Sequence, residues 1–207
     1  MMKVPWQRRV MYTYYDEKLK RNVRILYIGE YTATGDDVYL STVVGSCVTV
    51  ALYSQRRAIG GLNHFMLPEG GGQSSDGGIL GGAARYGMGA MEFLINELMK
   101  LGTRREELSA KVFGGGHVLE NIQAKGKGVP DSNIDFAFSY LKTERIPITA
   151  SDVGDTVARK IFFDPRTAEV LLKRITGDTV KSIEYEEERY LRSLAAQEGG
   201  KESKRLF

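Results

Sequence analysis

The chain has one cysteine, Cys47, and two histidines, His64 and His117, in 207 residues. A lone cysteine closes no internal disulfide, and so small a stock of thiolate and imidazole ligands argues against a structural zinc site. The chain therefore reads as belonging to a reducing compartment. No run approaches the roughly 18 apolar residues of a membrane helix, and the basic N-terminus lacks the apolar stretch of a secretory signal. These absences lead to the expectation of a cytoplasmic protein without membrane insertion. Charge of neither sign dominates: 29 basic and 26 acidic residues leave a net +3, too balanced to point to nucleic acid. The glycine-dense stretch 70–89 lacks the Gly-Lys-Ser/Thr ending of a phosphate loop and the spacing of a dinucleotide fingerprint. No internal repeat interrupts the reading, and the chemistry described below calls for no metal or organic cofactor.

A chain of this length fits one domain plus tails, and a single core of that size buries roughly 70% of the unfolded surface. Residues 1–22 are polar, basic and sprinkled with aromatics, and read as an N-terminal arm outside the core. β-branched and aromatic runs predict strands over 23–31, 38–44, 48–53, 58–66, 111–113, 146–153, 157–164 and 168–173. Polar turns are expected at 32–37 and 54–57. Pro68 ends the fourth of these strands, and a glycine-rich loop follows over 69–89. Met91, Leu94, Ile95, Leu98 and Leu101 recur at helical spacing before Gly102, which predicts a helix over 90–101. Ile134, Ala137, Phe138 and Leu141 suggest a second helix over 134–141. From residue 182 the chain turns to Glu184, Glu186, Glu187, Glu188, Arg189 and Arg192, a charged and helix-prone C-terminal extension ending at 207. Residues 23–181 form the domain. Strands outnumber helices and adjoin as hairpins, so the expected class is α/β with α+β character: layered mixed β-sheets flanked by helices.

Chemistry concentrates at two points. Cys47 ends Val44-Gly45-Ser46-Cys47, and seventeen residues later His64 lies in Gly61-Leu62-Asn63-His64-Phe65-Met66-Leu67-Pro68. A thiol is mostly protonated near neutrality, and attack on an amide needs the thiolate. An imidazole from the neighbouring strand is the natural base. Backbone N–H groups of Cys47 and of the Gly45-Ser46 turn are candidates for holding a developing oxyanion. Set against this, an isolated cysteine is most often an inert buried thiol, and an isolated strand histidine is most often a satisfied packing residue. His117, after Gly114-Gly115-Gly116, reads as a loop histidine rather than a rival base. Asp152 reads as a turn brace.

The segments Thr42-Val43-Val44-Gly45-Ser46-Cys47 and Gly61 to Pro68 resemble the two signature segments of the CheD family, bacterial chemoreceptor glutamine deamidases. The similarity continues in order through Ala84-Arg85-Tyr86-Gly87, Ala110 to Gly115 and Ile148 to Gly154, over roughly residues 24–175. The resemblance implies a layered α/β domain of cysteine-hydrolase type, akin to certain deamidating toxins. It implies a protein-glutamine glutaminase with Cys47 as nucleophile and His64 as base, acting on glutamines of methyl-accepting chemotaxis receptors through a glutamyl thioester. The family carries a threonine six residues before its cysteine, where this chain has Ser41, so Ser41 is the third catalytic candidate and adjacent Thr42 its substitute. Thr42, Ser46, Asn63 and Arg85 are supporting candidates. A CheC-type phosphatase is the second partner the resemblance implies, and a regulatory docking module is the alternative function. Cysteine protease or transglutaminase chemistry would use the same thiol.

Overall fold

A computed structural model of the chain describes residues 11–67, 82–118, 128–176, 180–183, 185–190 and 192, with side chains in the second stretch from residue 87 onward. The fold is mixed α+β, in three layers. One five-stranded sheet contains β1 (Thr13–Asp16), β2 (Arg21–Ile25), β4 (Val38–Val44), β9 (Ala158–Phe163) and β10 (Val170–Ile175), in that spatial order. The other runs β3 (Tyr31–Thr34), β6 (Ile59–Asn63), β5 (Val48–Ser54), β7 (Ser109–Gly114) and β8 (Ile148–Val153). Each sheet has one parallel pair, β2 with β4 and β7 with β8, and is otherwise antiparallel. Two helices, α1 (Gly82–Lys100) and α2 (Val129–Thr143), cover the outer face of the second sheet. No helix among the described residues is long and apolar enough to cross a membrane.

Strand β5 explains the layering. Its residues are buried on both faces, so its sequence is a nearly unbroken apolar run. Val48, Val50 and Leu52 face α1 and α2 in one core cluster, with Met91, Leu94, Ile95 and Leu98 of α1 opposite. Burying each of those large side chains contributes about 1.5–3 kcal/mol. The alternate residues Cys47, Ala51 and Tyr53 turn the other way, into the space between the sheets with Leu40, Val44, Ile161 and Phe163.

Several elements differ from the sequence expectation. The stretch 23–31 is two strands in different sheets, because the chain leaves β2 at Leu26 and turns at Gly29, where φ is 84°. The first half of the expected turn over 32–37 belongs to β3, and only 35–37 form the turn. Part of the N-terminal arm is strand: β1 extends the first sheet by pairing Thr13–Asp16 with Arg21–Arg24. Helix α1 begins at Gly82 rather than 90. Glycines conceal that start because they disfavour helix. At Gly87 the reason for glycine is close packing, since a Cβ there would stand 2.5 Å from the Phe136 ring of α2. Helix α2 begins earlier than expected, at Val129, with Pro130 in its first turn, where a missing N–H costs nothing. Most of the glycine-rich loop lies outside the described residues.

Candidate active site

The chain passes from one sheet to the other through Gly45, Ser46 and Cys47, between the end of β4 and the start of β5. A reversal this tight turns successive backbone N–H groups toward one side, a concave donor site for an anion. The glycines of 114–116 back this crossing. Gly115 N donates to Cys47 O at 2.7 Å and Gly116 N to Gly45 O at 2.7 Å. Gly114, at φ 110°, could not carry a side chain, because a Cβ would lie 2.2 Å from the Cys47 carbonyl oxygen.

His64 follows the end of β6. Val48 and Phe65 exchange both backbone hydrogen bonds, at 3.0 and 2.9 Å, which sets Cys47 opposite Met66 and Thr49 opposite His64. Strand alternation then turns Cys47 and His64 to the same face, between the sheets, at diagonal positions that in a regular ladder lie about 7–8 Å apart. Just before His64 the ladder is interrupted. Asn63 Oδ1 accepts the Val50 N–H at 2.8 Å, while the Asn63 carbonyl accepts the Thr49 hydroxyl. Asn63 Nδ2 reaches the Ala90 carbonyl and Met91 Sδ of α1, each at 3.3 Å. Asn63 therefore shapes the strand from the helix side and does not reach the space between the sheets.

The imidazole meets the first sheet through Thr42. Thr42 Oγ1 lies 2.8 Å from His64 Nδ1 and 2.8 Å from the Leu26 carbonyl oxygen. A hydroxyl has one proton and a carbonyl only accepts, so the threonine proton goes to Leu26 and the Thr42 oxygen accepts from Nδ1–H. That fixes the tautomer and leaves Nε2 with the lone pair. Among the described residues Nε2 is buried without a hydrogen-bond partner. Burial holds the His64 pKa down to about 3, the Leu26 carbonyl opposing it in part. The imidazole is thus neutral, with the lone pair on Nε2 and its ring on the same face of the sheet as Cys47.

Ser41 does not occupy the position expected of the third group. On β4, Thr42 shares the inner face with Leu40 and Val44, so the adjacent Ser41 projects to the other face, beside Tyr39 and Val43. The hydroxyl at the imidazole is that of Thr42. Arg85 falls in the first turn of α1, where side chains lie outside the described residues. His117 is half exposed, with Nε2 3.2 Å from Asp131 Oδ1. Asp152 pairs with two arginines: its Oδ1 accepts from Arg159 Nε at 2.8 Å, and its Oδ2 from Arg174 Nη2 at 3.0 Å.

Two residues were missed from sequence. Asn133 of α2 is wholly buried. Its Nδ2 donates to the Ser46 carbonyl at 2.9 Å and its Oδ1 accepts the Leu67 N–H at 2.7 Å. It clamps the cysteine crossing to the segment after His64. The signal was a polar residue within the buried series Val129, Asn133, Ala137, Leu141, whose four-residue spacing marks one helix face.

The second is Glu187. Its side chain is buried, the residue 1% exposed, in the donor site of the cysteine crossing. Glu187 Oε1 accepts from Gly45 N at 3.0 Å and Cys47 N at 3.2 Å. Oε2 accepts from Ser46 N at 3.0 Å and Ser46 Oγ at 2.6 Å. Cys47 itself is 0% exposed. Burial first, then the Glu187 charge and its hydrogen bond to the thiol, push the Cys47 pKa well above its ordinary value. In this arrangement the thiol is protonated and covered.

Comparison with known proteins agrees with the sequence resemblance. The family model described as CheD chemotactic sensory transduction matches residues 66–174. A protein of Cupriavidus pinatubonensis named probable chemoreceptor glutamine deamidase CheD is 44% identical over 183 residues, 88% of this chain and 83% of its own. So long a span takes in both Cys47 and His64. Proteins of the same name from Janthinobacterium sp. and Bordetella avium are 44% and 45% identical, covering 78% and 88% of this chain and 78% and 79% of theirs. With more than half the chain matched by the family model and relatives this similar along most of its length, the chain belongs to the CheD family.

Proposed function

We propose that this protein is a chemoreceptor glutamine deamidase, a protein-glutamine glutaminase in which Cys47 is the nucleophile, His64 the base and Thr42 the group that orients the base. The observation that carries the reading is the fixed tautomer of His64. Its Nδ1 is tied to Thr42, and among the described residues its lone pair at Nε2 is left uncommitted on the face from which Cys47 projects.

The chemistry follows. His64 Nε2 takes the thiol proton, and the thiolate attacks Cδ of a substrate glutamine side chain. The carboxamide oxygen becomes an oxyanion, for which the N–H groups of Gly45, Ser46 and Cys47 are preorganised donors. Protonated His64 gives its proton to the departing nitrogen, ammonia leaves, and a glutamyl thioester remains. His64 then takes a proton from water as its oxygen attacks the thioester. Glutamate departs and the thiol is restored. One amide C–N bond and one water O–H bond are exchanged for a carboxylate and ammonium, so no electrons leave the system and no external reagent is required. Ser41, on the outer face of β4, has no part in this scheme.

The names of the relatives support chemoreceptors as the substrate class. The family resemblance carries two finer points: cytoplasmic action on the helical signalling region of the receptors, and a CheC-type phosphatase as second partner.

The thioester is the step to test. Hydroxylamine added during turnover on a receptor cytoplasmic fragment should divert part of the product to a glutamyl hydroxamate at the same positions that otherwise become glutamate. Ammonia release without any hydroxamate, and undiminished in Cys47→Ser, would overturn covalent catalysis by Cys47.

A further inference from the structure

We propose that the C-terminal helix is a tethered product analogue, in which Glu187 occupies the pocket that receives the substrate glutamine side chain and holds Cys47 closed until the helix is displaced. The proposal rests on the deamidase reading for the identity of the pocket, though not for the occlusion itself.

The geometry begins with the helix. Residues 180–183 and 185–190 are helical. Ile183, Glu187 and Tyr190 fall at i, i+4 and i+7, one face of the helix. That face is turned inward, while Lys181, Ser182, Tyr185, Glu186, Glu188 and Arg189 are exposed. Ile183 packs with Val118 and Ala158. Tyr190 packs against the cluster containing Cys47, Val44 and Met66. Between these apolar anchors Glu187 enters the cysteine crossing.

The chemistry of the fit is specific. Glutamate is what deamidation of glutamine leaves, and the Glu187 carboxylate accepts from three backbone N–H groups and one hydroxyl beside the nucleophile. A surface ion pair would need none of this burial. Gly45 is matched to the occupant, because a Cβ there would lie 3.1 Å from both carboxylate oxygens and 2.7 Å from Val118. Burial raises the thiol pKa first, and the Glu187 contact raises it further. With Cys47 at 0% exposure, no protein glutamine reaches it while the helix is seated. The arrangement also describes the ligand that replaces it: a helix presenting glutamine with an apolar residue four positions before and an aromatic or apolar residue three positions after.

The test uses the full chain and its single thiol. Alkylation of Cys47 by iodoacetamide should be slow in the unaltered protein. It should accelerate about tenfold or more in Glu187→Ala, the effect expected for losing a set of charged hydrogen bonds. The same acceleration is expected in Ile183→Asp, which leaves the cysteine crossing untouched, whereas Glu187→Gln, whose amide oxygen still accepts from one side of the donor site, accelerates less. In Glu187→Gln the chain should then deamidate itself: position 187 regains a carboxylate, at a rate independent of protein concentration, and not when Cys47→Ala is added. Equal alkylation rates in all of these folded variants would overturn the proposal, even if receptor fragments are deamidated. Release of Cys47 by the variants with no deamidation of position 187 or of receptor fragments would leave the docked helix standing and defeat the deamidase reading.

Discussion

Thr42 Oγ1 stands 2.8 Å from His64 Nδ1 and donates its own O–H to the Leu26 carbonyl. Both hydrogen bonds therefore point from the imidazole toward Leu26 and leave Nε2 as the basic nitrogen of the ring. Thr42→Val should therefore lower kcat by about 10²-fold, the scale of a misdirected general base, with a smaller change in KM. Thr42→Ser retains the hydroxyl and should recover most of the rate. Ser41→Ala, altering the opposite face of β4, should leave kcat close to that of the unaltered chain. Steady-state deamidation of a receptor fragment by the three variants checks the assignment, and a large loss in Ser41→Ala would reverse it.

Burial of His64 makes folding stability depend on pH. Its folded pKa of about 3 lies below the ordinary histidine value of 6.5. Between those values the unfolded chain binds a proton that the folded chain does not, so stability rises with pH and is lost as pH falls below 6.5. From pH 7.5 to pH 5 this single group should remove about 2 kcal/mol. Urea unfolding at the two pH values measures it, and the loss should be smaller in His64→Gln, which carries no titrating group at that site.

Asn133 clamps the cysteine crossing to the segment that follows His64. Asn133→Ala leaves the Ser46 carbonyl and the Leu67 N–H without their buried partner, a cost of about 1–3 kcal/mol for each group that water does not reach. A lower midpoint of denaturation is expected, together with a lower kcat in the protein that remains folded. Asn133→Leu should be no better, because the requirement is for one donor and one acceptor rather than for volume. Chemical denaturation and turnover measured on the same preparations test both statements.

Arg159 is 1% exposed and pairs with Asp152, Nε at 2.8 Å and Nη2 at 2.7 Å from the same carboxylate oxygen. Removing one member of a buried pair strands the other, so Asp152→Ala should destabilise by about 3–5 kcal/mol. The double variant Asp152→Leu with Arg159→Met should recover much of that loss. Since neither residue joins the catalytic contacts, the folded double variant should keep kcat near the original. A denaturation cycle over the two single variants and the double variant supplies the comparison.

Cys47 and His64 stood out as candidates because rare residue types occur in small-residue contexts on neighbouring strands. The strands β4, β5, β9 and the buried stripe of α1 were legible from periodicity. The choice between Ser41 and Thr42 was not, since it depends on which face of β4 meets the second sheet, a property of pairing partners far away in the chain. The start of α1 was hidden because glycine weakens a helix locally while permitting the close approach of Phe136. Glu187 was hidden most completely. Within a run of acidic residues it looks like its neighbours Glu186 and Glu188, which are exposed, and only the docked helix separates them. Ile183 and Tyr190 at helical spacing around it were the one local sign.

Cysteine-dependent deamidation itself is tested most directly by peptide mass spectrometry of chemoreceptor cytoplasmic fragments after incubation with the unaltered protein, Cys47→Ala and His64→Ala. The account predicts conversion of particular glutamines to glutamate by the unaltered protein, and none above the uncatalysed background by either variant. Conversion that persists in Cys47→Ala would contradict it.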